Sequence, residues 1–81
     1  MEEGLLYILK KTISDAFAKP IETIDINSDL VKDLNLGEID LVELGVEIEK
    51  VFAVVVNNID YNKYKTVGSI LELIKEKMEI K

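Results

Sequence analysis

The side chains that could carry chemistry in this 81-residue chain are carboxylates, lysines and hydroxyls, because the sequence contains no cysteine and no histidine. The commonest general base and the commonest transition-metal ligand are therefore missing. No Ser-His or Cys-His nucleophile can be assembled, and no disulfide or thiolate metal site can form. Paired carboxylates remain, but no base partner or set of oxyanion donors accompanies them. The residue types predict a protein that is not an enzyme.

The carboxylates concentrate in residues 33–52, DLNLGEIDLVELGVEIEKVF, a segment with helical apolar spacing. Glu43 and Glu47 are four residues apart, and Asp40 precedes Glu43 by three, so these acids share one face of a helix. Such a stripe is ordinarily a solvated polar face. It also suits binding to a basic protein surface, which is the second interpretation we carry forward.

Three segments must position these groups, and apolar spacing predicts each of them as a helix. The first runs from about Glu2 to Ala18 and ends before Pro20, which cannot lie inside a helix. The second runs from about Glu38 to Phe52, with acids at the N-terminal end of its dipole. The last runs from Val67 to about Met78, behind Thr66 as N-cap. The predicted core-facing residues are Leu5, Leu6, Leu9, Ile13, Ala16, Phe17, Leu41, Leu44, Ile48, Val51, Phe52, Val67, Ile70, Leu71, Ile74 and Met78.

The connections between these helices are predicted to pack against them rather than to act as linkers. The long loop at residues 19–37 includes a short helical turn at Asp29–Leu34. The segment AVVVNNID, which starts at residue 53, is predicted as an extended loop because a lone strand has no partner. Its Val54 and Val56 either complete the core or join an exposed apolar patch. A short further helix is predicted at about Ile59–Tyr64. The apolar residues of the long loop are Ile21, Ile24, Ile26, Leu30, Val31, Leu34 and Leu36.

Length and charge limit the possible partners. The chain is long enough for one domain, residues 1–81. Its net charge of −6 repels phosphate backbones and anionic membranes, so we expect neither nucleic-acid binding nor membrane insertion. No segment is long and apolar enough to span a bilayer and no signal-peptide pattern is visible, which predicts a cytoplasmic protein. An EF-hand calcium loop starting at Asp25 is excluded, because Leu30 and Leu36 stand where it needs glycine and glutamate.

This layout resembles an acyl carrier protein over nearly the whole chain. That family shows the sequence D-L-G-x-D-S-L, in which the serine carries a phosphopantetheine arm. Asp33-Leu34 match the D-L, and Thr66-Val67 match the T-V that opens the family's last helix. Within the second helix the L-x-x-V-E-L pattern is matched by Ile39, Val42, Glu43 and Leu44. The resemblance implies an all-α, acyl-carrier-protein-like four-helix bundle, with three main helices, one short helix and a long first loop.

The chain departs from the family at the attachment chemistry. Glu38 stands where the family has the modified serine, Gly37 stands where it has aspartate, and Asn35 replaces its usual glycine. A carboxylate could form only a mixed anhydride with the arm, which would hydrolyse readily. We therefore predict no cofactor at this position. Glu38 is interpreted first as the N1 residue of a helix, where its charge is favourable. The alternative, functional interpretation is that its negative charge imitates the phosphodiester of the arm.

The resemblance also implies a docking surface on the second helix, in which Ile39, Val42 and Val46 line the apolar centre of an acidic strip. Lys50 interrupts that strip where the family is often acidic. The partners implied are basic surfaces of fatty-acid or polyketide synthesis enzymes. The predicted partner-docking residues are Ile39, Asp40, Val42, Glu43, Val46, Glu47 and Glu49.

Three functions remain open from the sequence. The leading one is a carrier-like docking or regulatory module that is not loaded at the usual site. The second is a working carrier that is loaded at an unexpected residue or binds acyl chains non-covalently, since Gly45 leaves space where a larger apolar residue is common. The third is a structural or assembly subunit that retains only the fold.

Overall fold

The computed structural model describes residues 2–56 and 58–78, and these form three α-helices. They are α1 (Glu2–Phe17), α2 (Glu38–Phe52) and α3 (Val67–Lys77), with a short 3-10 helix at Ile21–Thr23. The described residues contain no β-strand, only one isolated antiparallel bridge between Asp29 and Thr66. The predicted all-α fold of the acyl-carrier type is confirmed. The predicted bounds of α2 are confirmed at both ends, and α1 and α3 each end one residue earlier than predicted.

The core lies where the three helices meet the long first loop. Leu9 and Ile13 of α1, Leu44 and Ile48 of α2 and Ile70 of α3 are completely buried. Burial of such aliphatic side chains is the main favourable term in folding, at roughly 1.5–3 kcal/mol each. The loop contributes four further buried apolar residues, which confirms that it packs over the helices; these are Ile24, Leu30, Leu34 and Leu36.

The first loop is joined to the start of α3 by main-chain hydrogen bonds. Val67 N–H donates to Ser28 O (3.0 Å), and Gly68 N–H donates to Ile26 O (2.8 Å). Leu30 N–H donates to Lys65 O (2.8 Å) in the reverse direction. The first N–H groups of a helix have no acceptor within the helix. The loop therefore supplies the acceptors for the first two amides of α3, and the side chain of Thr66 accepts from Ser69 N–H as the predicted N-cap.

The predicted turn at Asp29–Leu34 is confirmed. The amides of Asp33 and Leu34 both donate to Asp29 O at 3.0 Å. The Asp29 carboxylate accepts hydrogen bonds from the amides of Lys32 and Val31. These bonds, with that of Lys32 the strongest cause, hold the pKa of Asp29 below its usual value.

The prediction of a short helix at Ile59–Tyr64 is wrong. Asp60 O accepts from both Lys63 N–H (3.0 Å) and Tyr64 N–H (2.9 Å), which makes a single turn. The Asp60 carboxylate also accepts from Asn62 N–H at 3.0 Å. This local side-chain bond offers the backbone an alternative to a helical ladder, which is why the segment stops at one turn.

Several predicted core positions are exposed instead. Val51 borders the outer groove between α1 and α2, and Met78 lies one residue beyond the end of α3. Ile26, Val31 and Ala16 also face solvent. By contrast Leu73, which we did not predict, is buried. Phe52 and Val56 are buried and Val54 packs against the core cluster, so this loop completes the core while Val55 is exposed.

None of the helices in the described part of the chain is long and apolar enough to cross a membrane.

Candidate binding surface on helix α2

The start of α2 is fixed by Gly37 and Asp40. Gly37 is the N-cap residue, with extended backbone, and its N–H donates to the Asp40 carboxylate at 3.0 Å. Glu38 is the first helical residue, as predicted, so its charge lies at the positive end of the helix dipole, and its side chain is exposed. Asn35 has a φ of 57°, in the left-handed region that glycine adopts freely and asparagine tolerates. This conformation accounts for asparagine where the family pattern has glycine.

The outer face of α2 carries an apolar ridge, formed by Ile39, Val42 and Val46. Their side chains are 85%, 70% and 40% exposed, respectively. Two of these three values are far above what a core-facing residue shows, so the ridge does not belong to the core. The ridge consists of the three apolar residues that we predicted at the centre of a docking strip.

Glu43 and Glu47 lie on the α1 side of the ridge. They line a groove of about 480 Å³ between α1 and α2, together with Ile8 and Val51. A hydrogen bond between the two glutamates, followed by burial and by the charge of Glu47, raises the pKa of Glu43. Lys50 Nζ lies 3.6 Å from a carboxylate oxygen of Glu47. Lys50 thus partly neutralises the strip that it interrupts.

Glu38 and Glu49 lie on the opposite side of the ridge. They line a second groove of about 470 Å³, whose other wall is formed by Val56 and residues 58–61. The Glu49 carboxylate accepts a hydrogen bond from Val56 N–H at 3.0 Å, which fixes its position. Gly45 lies in the wall of this groove, and Tyr61 also lines it.

The predicted docking residues therefore separate into three groups, with Asp40 outside all of them. Ile39, Val42 and Val46 form the ridge, Glu43 and Glu47 lie on one side of it, and Glu49 lies on the other. Asp40 lies apart, because its carboxylate is bound to the N-cap amide. The sequence did not predict the groove beside Glu49, apart from the space that Gly45 leaves. No sequence signal shows which loop lies opposite a helix.

The serine hydroxyls are engaged elsewhere. Ser28 is 7% exposed, and its Oγ accepts from Asp25 N–H. Ser14 Oγ donates to Lys19 O. Ser69 Oγ accepts from Thr66 N–H and donates to Thr66 O. None of these serines lies in the first turn of α2, where Glu38 stands.

The described residues contain no group of three or more carboxylates placed to hold a metal ion. The groups available on α2 are thus an apolar ridge, carboxylates on both sides of it and one lysine. Such a surface is suited to binding and offers no nucleophile–base pair.

Comparison with known proteins agrees with the fold predicted from the sequence. Residues 8–74 match the family model described as a phosphopantetheine attachment site. The chain is 33% identical over 79 residues to an acyl carrier protein of Coprothermobacter proteolyticus, covering 98% of this chain and 96% of that protein. It is 38% identical over 66 residues to an acyl carrier protein of Rickettsia bellii, with 82% and 77% covered. An acyl carrier protein of Chlamydia trachomatis is 30% identical over 69 residues, with 85% and 90% covered.

Proposed function

We propose, from the premise that this chain belongs to the acyl carrier protein family, that it is a carrier-fold docking module not loaded with phosphopantetheine at the usual site. Members of the family are carriers and not enzymes. The observation that carries the proposal is Glu38, an exposed carboxylate at the first residue of α2, in the register of the family's modified serine.

The chemistry of attachment supports loss of loading. In a carrier, the serine hydroxyl attacks a phosphorus of coenzyme A and forms a phosphodiester. Attack by the Glu38 carboxylate would give a mixed anhydride, which water cleaves readily. The internal hydrogen bonds of Ser14, Ser28 and Ser69 disfavour each of them as a substitute.

The exposed ridge supports docking. Ile39 and Val42 offer apolar area that a partner can bury, and carboxylates on both sides of them attract a basic surface. Charge of this kind mainly steers encounter and selects the partner, while burial of the ridge supplies affinity. The partners proposed are basic surfaces of fatty-acid or polyketide synthesis enzymes, which this module would regulate or hold without carrying an arm.

Loading is tested by intact mass after incubation with coenzyme A and a broad-specificity phosphopantetheinyl transferase. The natural protein is compared with a Gly37→Asp, Glu38→Ser double variant. We expect only the double variant to gain the mass of the arm. Gain of mass by the natural protein would overturn the proposal, and mapping the modified residue would identify the hydroxyl used.

Docking is tested by titrating the protein with a basic fatty-acid synthase component at low and high salt. We expect Ile39→Asp to weaken binding, because it places a charge in the ridge. Val31→Asp is the matched control, since Val31 is also an exposed β-branched aliphatic residue (52%) but lies in the first loop. Salt-independent binding, or equal loss in both variants, would contradict docking through α2 and favour a structural subunit that keeps only the fold.

The groove beside Gly45 favours a second candidate function, which is non-covalent binding of an aliphatic chain. Its volume of about 470 Å³ lies within the roughly 300–1,000 Å³ typical of ligand pockets. A shift in melting temperature with chain length would support this candidate.

A further inference from the structure

We propose that the groove between α1 and α2 is a second docking surface, which binds an amphipathic helix of a partner protein whose apolar stripe is flanked by arginine or lysine. The proposal goes beyond docking through the ridge, since Ile39, Val42 and Val46 do not line this groove. The shape of the groove, its apolar lining and its charge all favour such a helix.

The walls of the groove are two helical stripes. Each stripe follows the three- and four-residue spacing of one helix face and extends over roughly 12 Å, which is about two turns. Side chains of a third helix can pack into a furrow between two such stripes. The stripe on α1 consists of Ile8, Lys11, Thr12, Asp15 and Ala16, and that on α2 consists of Glu43, Glu47 and Val51.

The groove exposes apolar side chains that the fold itself leaves uncovered. Ile8 is 42% exposed and Val51 is 47% exposed, and Ala16 is also exposed. The hydroxyl of Thr12 donates to Ile8 O at 2.7 Å, so its hydrogen is already engaged. A partner helix that enters the groove would remove this apolar surface from water, which is the favourable term for docking.

The carboxylates of the groove favour a cationic partner. A hydrogen bond to Glu47 raises the pKa of Glu43, so the two acidic groups lie against each other. Lys11 is 3.3 Å from Asp15 and Lys50 is 3.6 Å from Glu47, which leaves Glu43 without an ion pair in the described part of the chain. An arginine of the partner can bind both glutamates, because its guanidinium presents five donors in a planar fork.

The probe is a synthetic amphipathic peptide of about four helical turns, with leucines spaced i, i+4, i+7 and i+11 and arginines beside them. Binding to the whole protein is measured by isothermal titration at low salt. A peptide of the same composition, in an order that leaves no apolar face, is the control. We expect the amphipathic peptide to bind at least about tenfold tighter than the control. Equal affinity for the two peptides, or no binding of either, would overturn the proposal.

Neutral substitutions locate the apolar contact. The double variant Ile8→Gln, Val51→Gln should weaken peptide binding about tenfold, with circular dichroism confirming that the helices remain. Val31→Gln, Val55→Gln is the matched control, because these valines are 52% and 66% exposed and do not line the groove. Equal loss in the two double variants, or no loss in the first, would overturn the proposal.

A second pair of variants tests the charge of the groove. Glu43→Gln, Glu47→Gln removes the facing acids and should weaken binding and reduce its salt dependence. Glu72→Gln, Glu76→Gln makes the same change in net charge at exposed positions of α3 and should have little effect. An identical response in the two would show that overall charge, and not the groove, attracts the peptide. The first change also removes a repulsion within α2, so loss of binding would not reflect unfolding.

Two further measurements separate this surface from other interactions. Ile39→Asp should leave peptide binding unchanged while it weakens docking through the ridge, so failure of either surface can be recognised without the other. Sedimentation of the natural protein tests a second copy of this chain as the occupant. Self-association that is lost in Ile8→Gln, Val51→Gln would assign the groove to a second copy and overturn the proposal of a basic partner helix.

Discussion

The hydroxyl of Tyr61 donates a hydrogen bond of 2.7 Å to the main-chain oxygen of Leu41. Twenty residues of sequence separate the two groups, and the groove beside Gly45 lies next to their contact. The bond connects residues 58–61 to the first turns of α2. Both residues line that groove, so the bond fixes part of its wall.

Tyr61→Phe is expected to lower the free energy of unfolding by about 1 kcal/mol, since it removes one part-buried hydrogen bond and keeps the aromatic ring. Urea denaturation measures the change. Tyr7→Phe is the control, because the Tyr7 side chain is 58% exposed and should give no measurable loss. Equal stability of both variants and the natural protein would show that the Tyr61 bond contributes nothing net.

Tyr61 also predicts a dependence of stability on alkaline pH. Burial raises its pKa from 10.0 to about 12. Between these values the unfolded chain loses a proton that the folded chain keeps, so the unfolding free energy falls as pH rises. This contribution is fully present below pH 10 and is lost as pH approaches 12. Urea denaturation on either side of pH 10 should show a steeper decline for the natural protein than for Tyr61→Phe.

Gly45 and Gly68 should respond in opposite directions to alanine. A Cβ at Gly45 makes ordinary contacts at 3.8 Å, so Gly45→Ala gains helix propensity and should add up to about 1 kcal/mol of stability. A Cβ at Gly68 would lie 3.0 Å from Ile26 O and Ile26 Cγ1, so the loop must shift and stability should fall. Thermal unfolding of the two variants checks this, and changes of the same sign would contradict it.

Glu49→Ala is expected to destabilise the protein by about 1 kcal/mol, because the part-buried Val56 N–H loses its acceptor. Glu49→Gln keeps an acceptor oxygen at this position and should retain most of the stability. Glu76→Ala, at an exposed position of α3, serves as the control in urea denaturation. If Glu49→Gln loses as much as Glu49→Ala, the charge and not the hydrogen bond is responsible.

The elements with strong local signals were predictable from the sequence. Both ends of α2 follow from the glycine and acids at its start and the apolar spacing up to Phe52, and Thr66 is an N-cap of an ordinary type. Local hydrogen bonds determine where these helices begin and end, so the neighbouring residues are enough to predict the helix ends. The exposed ridge at Ile39, Val42 and Val46 was also predicted, but from the resemblance to carrier proteins and not from periodicity.

The predictions that failed concern residues whose positions are determined by tertiary contacts. Val51 fits the apolar period of α2, yet α1 does not cover it, and the period alone cannot show where a neighbouring helix lies. A short helix was predicted at Ile59–Tyr64, but Tyr61 and Tyr64 pack against the core and the turn at Asp60 makes the segment a loop. Glu49 was grouped with the docking acids. Its bond to Val56 joins α2 to the loop that follows, and the sequence does not reveal such a contact.

The hydrogen bonds between the first loop and α3 bear on how the molecule opens. Helix-start amides usually fray and exchange their protons quickly, yet Val67 and Gly68 donate to Ser28 O and Ile26 O. Deuterium exchange at these two amides should therefore be slow, and it should match the exchange at Leu30, which donates to Lys65 O. The first loop cannot detach while the start of α3 stays intact, so the two segments behave as one cooperative unit. The first loop is therefore held as part of the folded core and is not a separate lid.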